Sequence, residues 1–223
     1  MTDIYLVRHG QAAGGASRMD RDFNLTETGR WQAEESGRAL SARGVRATRI
    51  YASKLTRARQ TAQTLRRWVG GEIALRDDLI EHGSRVLLRE ETIEEAAKCE
   101  PLALTPDGEL RVDGNGADGS GLNASFSIGG ETLDQLHQRA GKAWREICAA
   151  VAGQEGQRGA ILVVAHGCLL SAMMSEALGM PRRAVWSAQF AHAAFVHLQL
   201  YPNKRTGEIE PSLCCDALDG RTA

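Results

Sequence analysis

Short, predominantly apolar runs alternate along this chain with longer stretches in which apolar residues recur every three or four positions. Asp3–Val7 (DIYLV), Arg49–Ala52 (RIYA), Glu72–Leu75 (EIAL), Ala160–Ala165 (AILVVA) and the run AAFVHLQLY at 193–201 are of the first kind and predict buried strands. A helical pattern starts at Thr26 and Glu27, with Trp31, Ala39 and Leu40 on a shared face, and Gly44 stops it. In SKLTRARQTAQTLRRWV, Ser53 is placed as N-cap and the Gly70-Gly71 pair ends the helix. Two more helices are predicted, ETLDQLHQRAGKAWREICAAVAG from Glu131 and HGCLLSAMMSEALG from His166. Between these blocks, LLREETIEEAAKC reads as a helix limited by Pro101, and LALTPDGELRVDG as a hairpin turning at Pro106-Asp107-Gly108.

Strands alternating with helices predict an α/β fold: a three-layer sandwich with a mostly parallel central sheet and helices on both faces. No internal repeat or linker divides the 223 residues, so a single domain is expected. It carries a hairpin and lid insertion at about 99–130, whose Asp113–Gly130 part is rich in glycine, asparagine, aspartate and serine. That part reads equally as a lid over a substrate or as a plain insertion. Ligands of such folds sit beyond the carboxyl ends of the strands. Arg8-His9 and His166-Gly167 both follow strand ends.

Charge changes the picture little. With 27 Lys+Arg against 28 Asp+Glu, no global field favours nucleic acid or an anionic membrane, and neither is expected as a partner. The start MTDIYLVRHG lacks the pattern of a signal peptide, and the five cysteines form no CxxC or Cys/His ligand spacing. Free thiols and a cytoplasmic location are the expectation. A homodimer is compatible with the sequence.

The residues at the strand ends suit phosphoryl chemistry. Arg8 and Arg57 offer permanently charged donor forks, and Arg57 lies in the first turn of its helix, where backbone N–H groups also favour an anion. A neutral His9 could attack phosphorus through one nitrogen while the other is fixed by an acceptor, and His166 could donate to the same oxygens. Glu81, in DDLIEHG, is the candidate general acid for a leaving alkoxide; the competing reading is an exposed acidic turn with Asp77 and Asp78. Two arginines and a histidine can supply the electrostatics, and no carboxylate cluster suited to magnesium stands out, so no metal or other cofactor is expected. Arg59, Arg66 and Arg67 read as solvated helix residues, and His82 as a neighbour of the site. His137, His192 and His197 read as helix or strand surface, although His192 is near enough to a strand start to line the pocket. Trp144, Ile147, Met173 and Met174 are expected in the core, and Cys168 as a buried thiol. Glu131 and Thr132 are expected both to cap the long helix and to face the pocket.

LVRHGQA, LTETG, YASKLTRARQTAQTL, LIEHG, GGET and VVAHG, in this order, resemble the signature blocks of the histidine phosphatase superfamily, the phosphoglycerate mutase-like fold. The resemblance implies that His9 carries the phosphoryl group as phosphohistidine, that Arg8, Arg57 and His166 hold it, and that Glu81 donates the proton. Gln11 and Gly167 are candidates for secondary contacts. Gln11 stands where many members have Glu, Gly14 and Gly15 where they place an asparagine, and the arginine-pair block of the cofactor-dependent mutases is not recognisable. The expected activity is therefore hydrolysis of a small phosphomonoester without a metal. A phosphoglycerate mutase-type transfer is the alternative, and a non-catalytic phosphoryl-binding module is a third reading.

Overall fold

The six residues of AILVVA are buried without exception, and this strand lies near the middle of the sheet. The computed structural model describes residues 2–13, 22–82, 127–128, 131–152, 159–181, 190–202 and 209–213. The helix expected at 87–99, the hairpin at 102–114 and nearly all of the 113–130 stretch lie outside them.

In chain order the elements are β1 (Thr2–Arg8), α1 (Glu27–Ala42), β2 (Ala47–Ser53), α2 (Thr56–Val69), β3 (Glu72–Arg76) and a 3-10 turn at Asp77–Leu79. They continue with β4 (Ser127–Ile128), β5 (Glu131–Thr132), α3 (Leu133–Ala152), β6 (Ala160–Ala165), α4 (Gly167–Ala177), β7 (Phe195–Pro202) and β8 (Ile209–Leu213). The six-stranded sheet has the order β3-β2-β6-β1-β7-β8, while β4 and β5 form a separate antiparallel pair. The first four strands of the order run parallel, and β7 is antiparallel to both of its neighbours, so the sheet is mixed. Strand β8, beyond β7, was not foreshadowed by an apolar run.

Alternation along the central strands builds both cores. Ile4, Leu6, Ile161 and Val163 pack with Leu136, Trp144 and Ile147 of α3 and Leu169, Leu170 and Met173 of α4. Tyr5, Val7, Leu162 and Val164 face the other way, toward Leu40 of α1 and Ala58, Ala62 and Leu65 of α2. Two helices thus cover each face.

Several local expectations need correction. Trp31 is 61% exposed rather than packed, because α1 buries the stripe Gly29, Ala33, Gly37 and Leu40 instead. Small residues there let the helices approach: a Cβ on Gly37 would meet Trp68 Cδ1 at 2.3 Å. Ser53 is not a helix cap, since β2 runs through it and α2 starts at Thr56. The cap comes from far away in sequence, where the Asp22 carboxylate accepts from Thr56 N at 2.7 Å and from Thr56 Oγ1 at 2.6 Å. The long helix begins at Leu133 rather than Glu131. Thr132 and Gln135 form a reciprocal capping box there, with Gln135 N donating to Thr132 Oγ1 and Thr132 N to Gln135 Oε1. His137 is fully buried, not superficial, with Nδ1 3.1 Å from Glu176 Oε1 of α4.

Candidate active site

Strands β1 and β6 are parallel neighbours, with Arg8 opposite Ala165, so the residues that follow them emerge side by side. His9 N donates to Ala165 O at 3.0 Å, which ties the two strand ends together. The rings of His9 and His166 are 5.0 Å apart, edge to face. Arg8 is itself the last residue of β1, and its guanidinium donates to Phe190 O and lies against Gly167.

The loop after His9 is shaped by a contact between two glycines. A Cβ on Gly10 would meet Gly29 O at 2.2 Å, and one on Gly29 would meet Gln11 O at 2.0 Å. Only backbone fits in that space, which gives the glycines of RHG and LTETG one common steric cause. Thr61 of α2 secures the same loop, accepting from Gly10 N at 3.1 Å while donating to Arg57 O at 2.8 Å.

His9 is buried, and its Nδ1 is 2.6 Å from Gly10 O. A carbonyl only accepts, so Nδ1 bears the hydrogen and Nε2 keeps its lone pair. Arg57 Nε donates to that nitrogen at 3.3 Å. Burial, with Arg57, Arg8 and His192 adding positive charge nearby, lowers the His9 pKa to about 3 against the pull of the Gly10 bond. His9 is therefore a neutral base at physiological pH. His166 is likewise kept neutral, mainly by burial, with His9 and the nearby arginines adding to it. Its Nε2 is 2.8 Å from Ser53 Oγ, the actual role of that serine. Among the described residues, His166 Nδ1 and Arg8 Nε are buried polar atoms without a protein partner.

Arg57 is buried in the first turn of α2, and burial lowers its pKa while Glu81 and Asp22 work against that shift. Glu81 is half-buried and is not an exposed acidic turn: Asp77 pairs with Lys54 and Asp78 with Arg76, leaving Glu81 to face α4. Its Oε1 accepts from His82 N at 2.8 Å and Leu169 N at 3.3 Å, and its Oε2 from Cys168 N at 3.4 Å. The carboxylate caps the helix that follows His166. Cys168 is a poor nucleophile, since burial and the Glu81 charge push its thiol up to about 12.

The structure brings Arg8, His9, Arg57, His166, Gly167 and Glu81 to one end of the sheet. Gln11 is turned elsewhere, its Oε1 accepting from Thr26 Oγ1 at 2.9 Å. His192 does line this region: its ring is 5.8 Å from that of His9, and burial together with the Arg8 charge lowers its pKa. Ala193, at φ 57°, makes the turn that holds it, with Ala193 N donating to His9 O at 3.1 Å and Ser36 Oγ to Ala193 O at 2.5 Å. A lone histidine before a strand gave only a weak sign of this. His197 instead stacks on Tyr5 and pairs with Asp3, away from the pocket.

His9 and His166 thus follow the carboxyl ends of two adjacent parallel strands of an α/β fold, with Arg8 at the end of β1 and Arg57 of α2 beside them. The chain belongs to the histidine phosphatase superfamily, branch 1, whose family model matches residues 4–208. Among its relatives, the "Probable phosphoglycerate mutase GpmB" of Photorhabdus laumondii is 31% identical over 192 residues, covering 82% of this chain and 78% of that protein. The protein of the same name from Erwinia tasmaniensis is 29% identical over 187 residues, at 82% and 78% coverage. Of the solved structures, a mycobacterial glucosyl-3-phosphoglycerate phosphatase in complex with VO3 superposes with a TM-score of 0.67 at 23% identity, covering 96% of this chain and 97% of that one. Phosphoserine phosphatase from Entamoeba histolytica with 3-phosphoglyceric acid gives 0.58 at 18% identity, covering 96% and 95%. These structural likenesses show the fold. No helix among the described residues is long and apolar enough to cross a membrane.

Proposed function

We propose that the protein is a metal-independent phosphatase that hydrolyses a phosphomonoester through a phosphohistidine on His9. The observation that carries this reading is the fixed tautomer of His9: a neutral imidazole with its Nε2 lone pair beside the Arg57 guanidinium. The buried Arg8 Nε and His166 Nδ1 add two polar atoms that phosphoryl oxygens would satisfy.

In the first step the Nε2 lone pair attacks phosphorus and the bond to the leaving oxygen breaks. Glu81, in its acid form, gives its proton to that oxygen. Arg8, Arg57 and His166 hold the equatorial oxygens, where charge is spread in the transition state. In the second step the Glu81 carboxylate takes a proton from water as its oxygen attacks phosphorus. The N–P bond breaks, inorganic phosphate leaves, and both His9 and Glu81 return to their starting states.

The names of the curated relatives favour one competing reading, transfer of the phosphoryl group to a second hydroxyl as in a phosphoglycerate mutase. Against it stands the unrecognisable arginine-pair block. The two are separated by incubating wild type and His9→Ala with a panel of phosphate esters in EDTA. Inorganic phosphate released by wild type alone supports the phosphatase. Isomerised product without phosphate release supports the mutase, and binding of phosphate without either reaction supports a non-catalytic module.

A further inference from the structure

The glutamate of GGET is nowhere near the surface. Glu131 is 1% exposed and forms a two-pronged ion pair with Arg139, itself 10% exposed: Arg139 Nε to Glu131 Oε1 at 2.8 Å and Nη2 to Oε2 at 2.6 Å. Replacing such a pair with apolar side chains is often neutral or stabilising, so stability alone gives it little reason to be there. What distinguishes it is the use of the remaining groups. Arg139 Nη1 donates to Asp78 O at 2.8 Å and to Ile80 O at 2.9 Å, the second being the residue immediately before Glu81. The backbone carbonyl of Glu131 accepts from His82 Nε2 at 2.7 Å, and His82 is the residue immediately after Glu81. Both flanks of Glu81 are thus held by one pair of charged residues on β5 and α3.

We infer that Glu131 and Arg139 are positioning residues that set the placement of the Glu81 carboxyl for proton transfer. The inference rests on the reading of Glu81 as the general acid. Arginine suits the task because one planar fork spans a carboxylate and two carbonyls at once, which a lysine ammonium cannot do. Displacement of a general acid by about an ångström is enough to cost rate, because proton transfer requires hydrogen-bond reach.

The test uses leaving groups. Nitrophenolate departs readily without a proton, whereas an alkoxide needs one. kcat/KM is measured for p-nitrophenyl phosphate and for the alkyl phosphate that wild type hydrolyses best, using wild type, Glu81→Gln, Arg139→Lys and Glu131→Gln. Glu81→Gln should lower the alkyl-to-aryl ratio by about 100-fold, the lower end of general-acid contributions. Arg139→Lys and Glu131→Gln should lower it in the same direction but by less, about ten-fold, because the acid is displaced rather than removed. Inhibition by inorganic phosphate should be unchanged, and Arg139→Lys should add nothing to the ratio once Glu81 is Gln.

Equal losses on both esters, or none, in folded Arg139→Lys and Glu131→Gln overturn the inference while leaving Glu81 as the acid. No change of ratio in Glu81→Gln overturns the reading beneath it, as does a wild type that hydrolyses neither ester. Near-UV circular dichroism reports folding. If Arg139→Lys does not fold, Glu131→Gln decides, and if neither folds the pair serves folding and the inference is overturned.

Discussion

Arg57 Nε donates to His9 Nε2 at 3.3 Å, across the gap between the end of β1 and the first turn of α2. The nitrogen proposed to attack phosphorus is thus in direct contact with a group proposed to hold phosphoryl oxygens. A phosphoryl group arriving there would lie within reach of both.

Arg57→Ala should lower kcat/KM by about 3–4 kcal/mol of transition-state stabilisation, the scale of losing one oxyanion donor. Arg57→Lys should restore little of it, since a lysine lacks the planar fork. Steady-state kinetics checked against melting temperature will separate lost catalysis from lost folding.

Burial of neutral histidines makes stability depend on acid. An imidazole that ordinarily titrates at 6.5 protonates in folded His9 only at about 3, and His166 shifts in the same direction. Between those pH values the unfolded chain binds more protons, so the stability present above about 6.5 declines as pH falls toward 3. Urea unfolding at pH 7 and pH 5 should show this loss, with a shallower dependence in His9→Gln. The same shift keeps His9 a free base at pH 5, so any acidic limb in the pH–rate profile above that value belongs to other groups.

Gly29→Ala should destabilise the protein by about 1–3 kcal/mol, the usual range for overpacking. The new Cβ would lie 2.0 Å from Gln11 O, and that atom is backbone. Activity should fall with it, because the displaced loop is the one that carries His9. Thermal melting and kinetics of the variant are the check.

Ser53→Ala removes the hydroxyl that bonds His166 Nε2 and leaves a buried nitrogen unsatisfied, a loss of about 1–3 kcal/mol. Chemical denaturation measures that loss. A His166 ring freed from Ser53 should also lower kcat/KM, and phosphate inhibition should weaken in parallel.

Much of this arrangement is legible in the chain because it is local. Unbroken apolar runs located β1 and β6, and the residues just after such runs are the ones a parallel sheet delivers to its carboxyl edge. Arg57 was legible as an early residue of a helix. The rest depends on long-range contacts that no short window contains. The cap of α2 is Asp22, more than thirty residues upstream, and the partner of Ser53 is His166, over a hundred residues downstream. Trp31 misled because apolarity ordinarily marks the buried face, whereas α1 buries glycine and alanine so that Trp68 can approach. His137 was misplaced because its polar ring is satisfied inside the α3–α4 interface.

The central claim is a covalent phosphoryl group on His9, and trapping it is the direct test. Wild type is mixed with p-nitrophenyl phosphate, denatured within milliseconds at alkaline pH, where phosphohistidine survives, and measured by intact-protein and peptide mass spectrometry beside His9→Ala. The mechanism predicts a mass increase of one phosphoryl group on the peptide containing His9 in wild type, and none in the variant. Turnover with no such adduct, or an adduct on another residue, would contradict it.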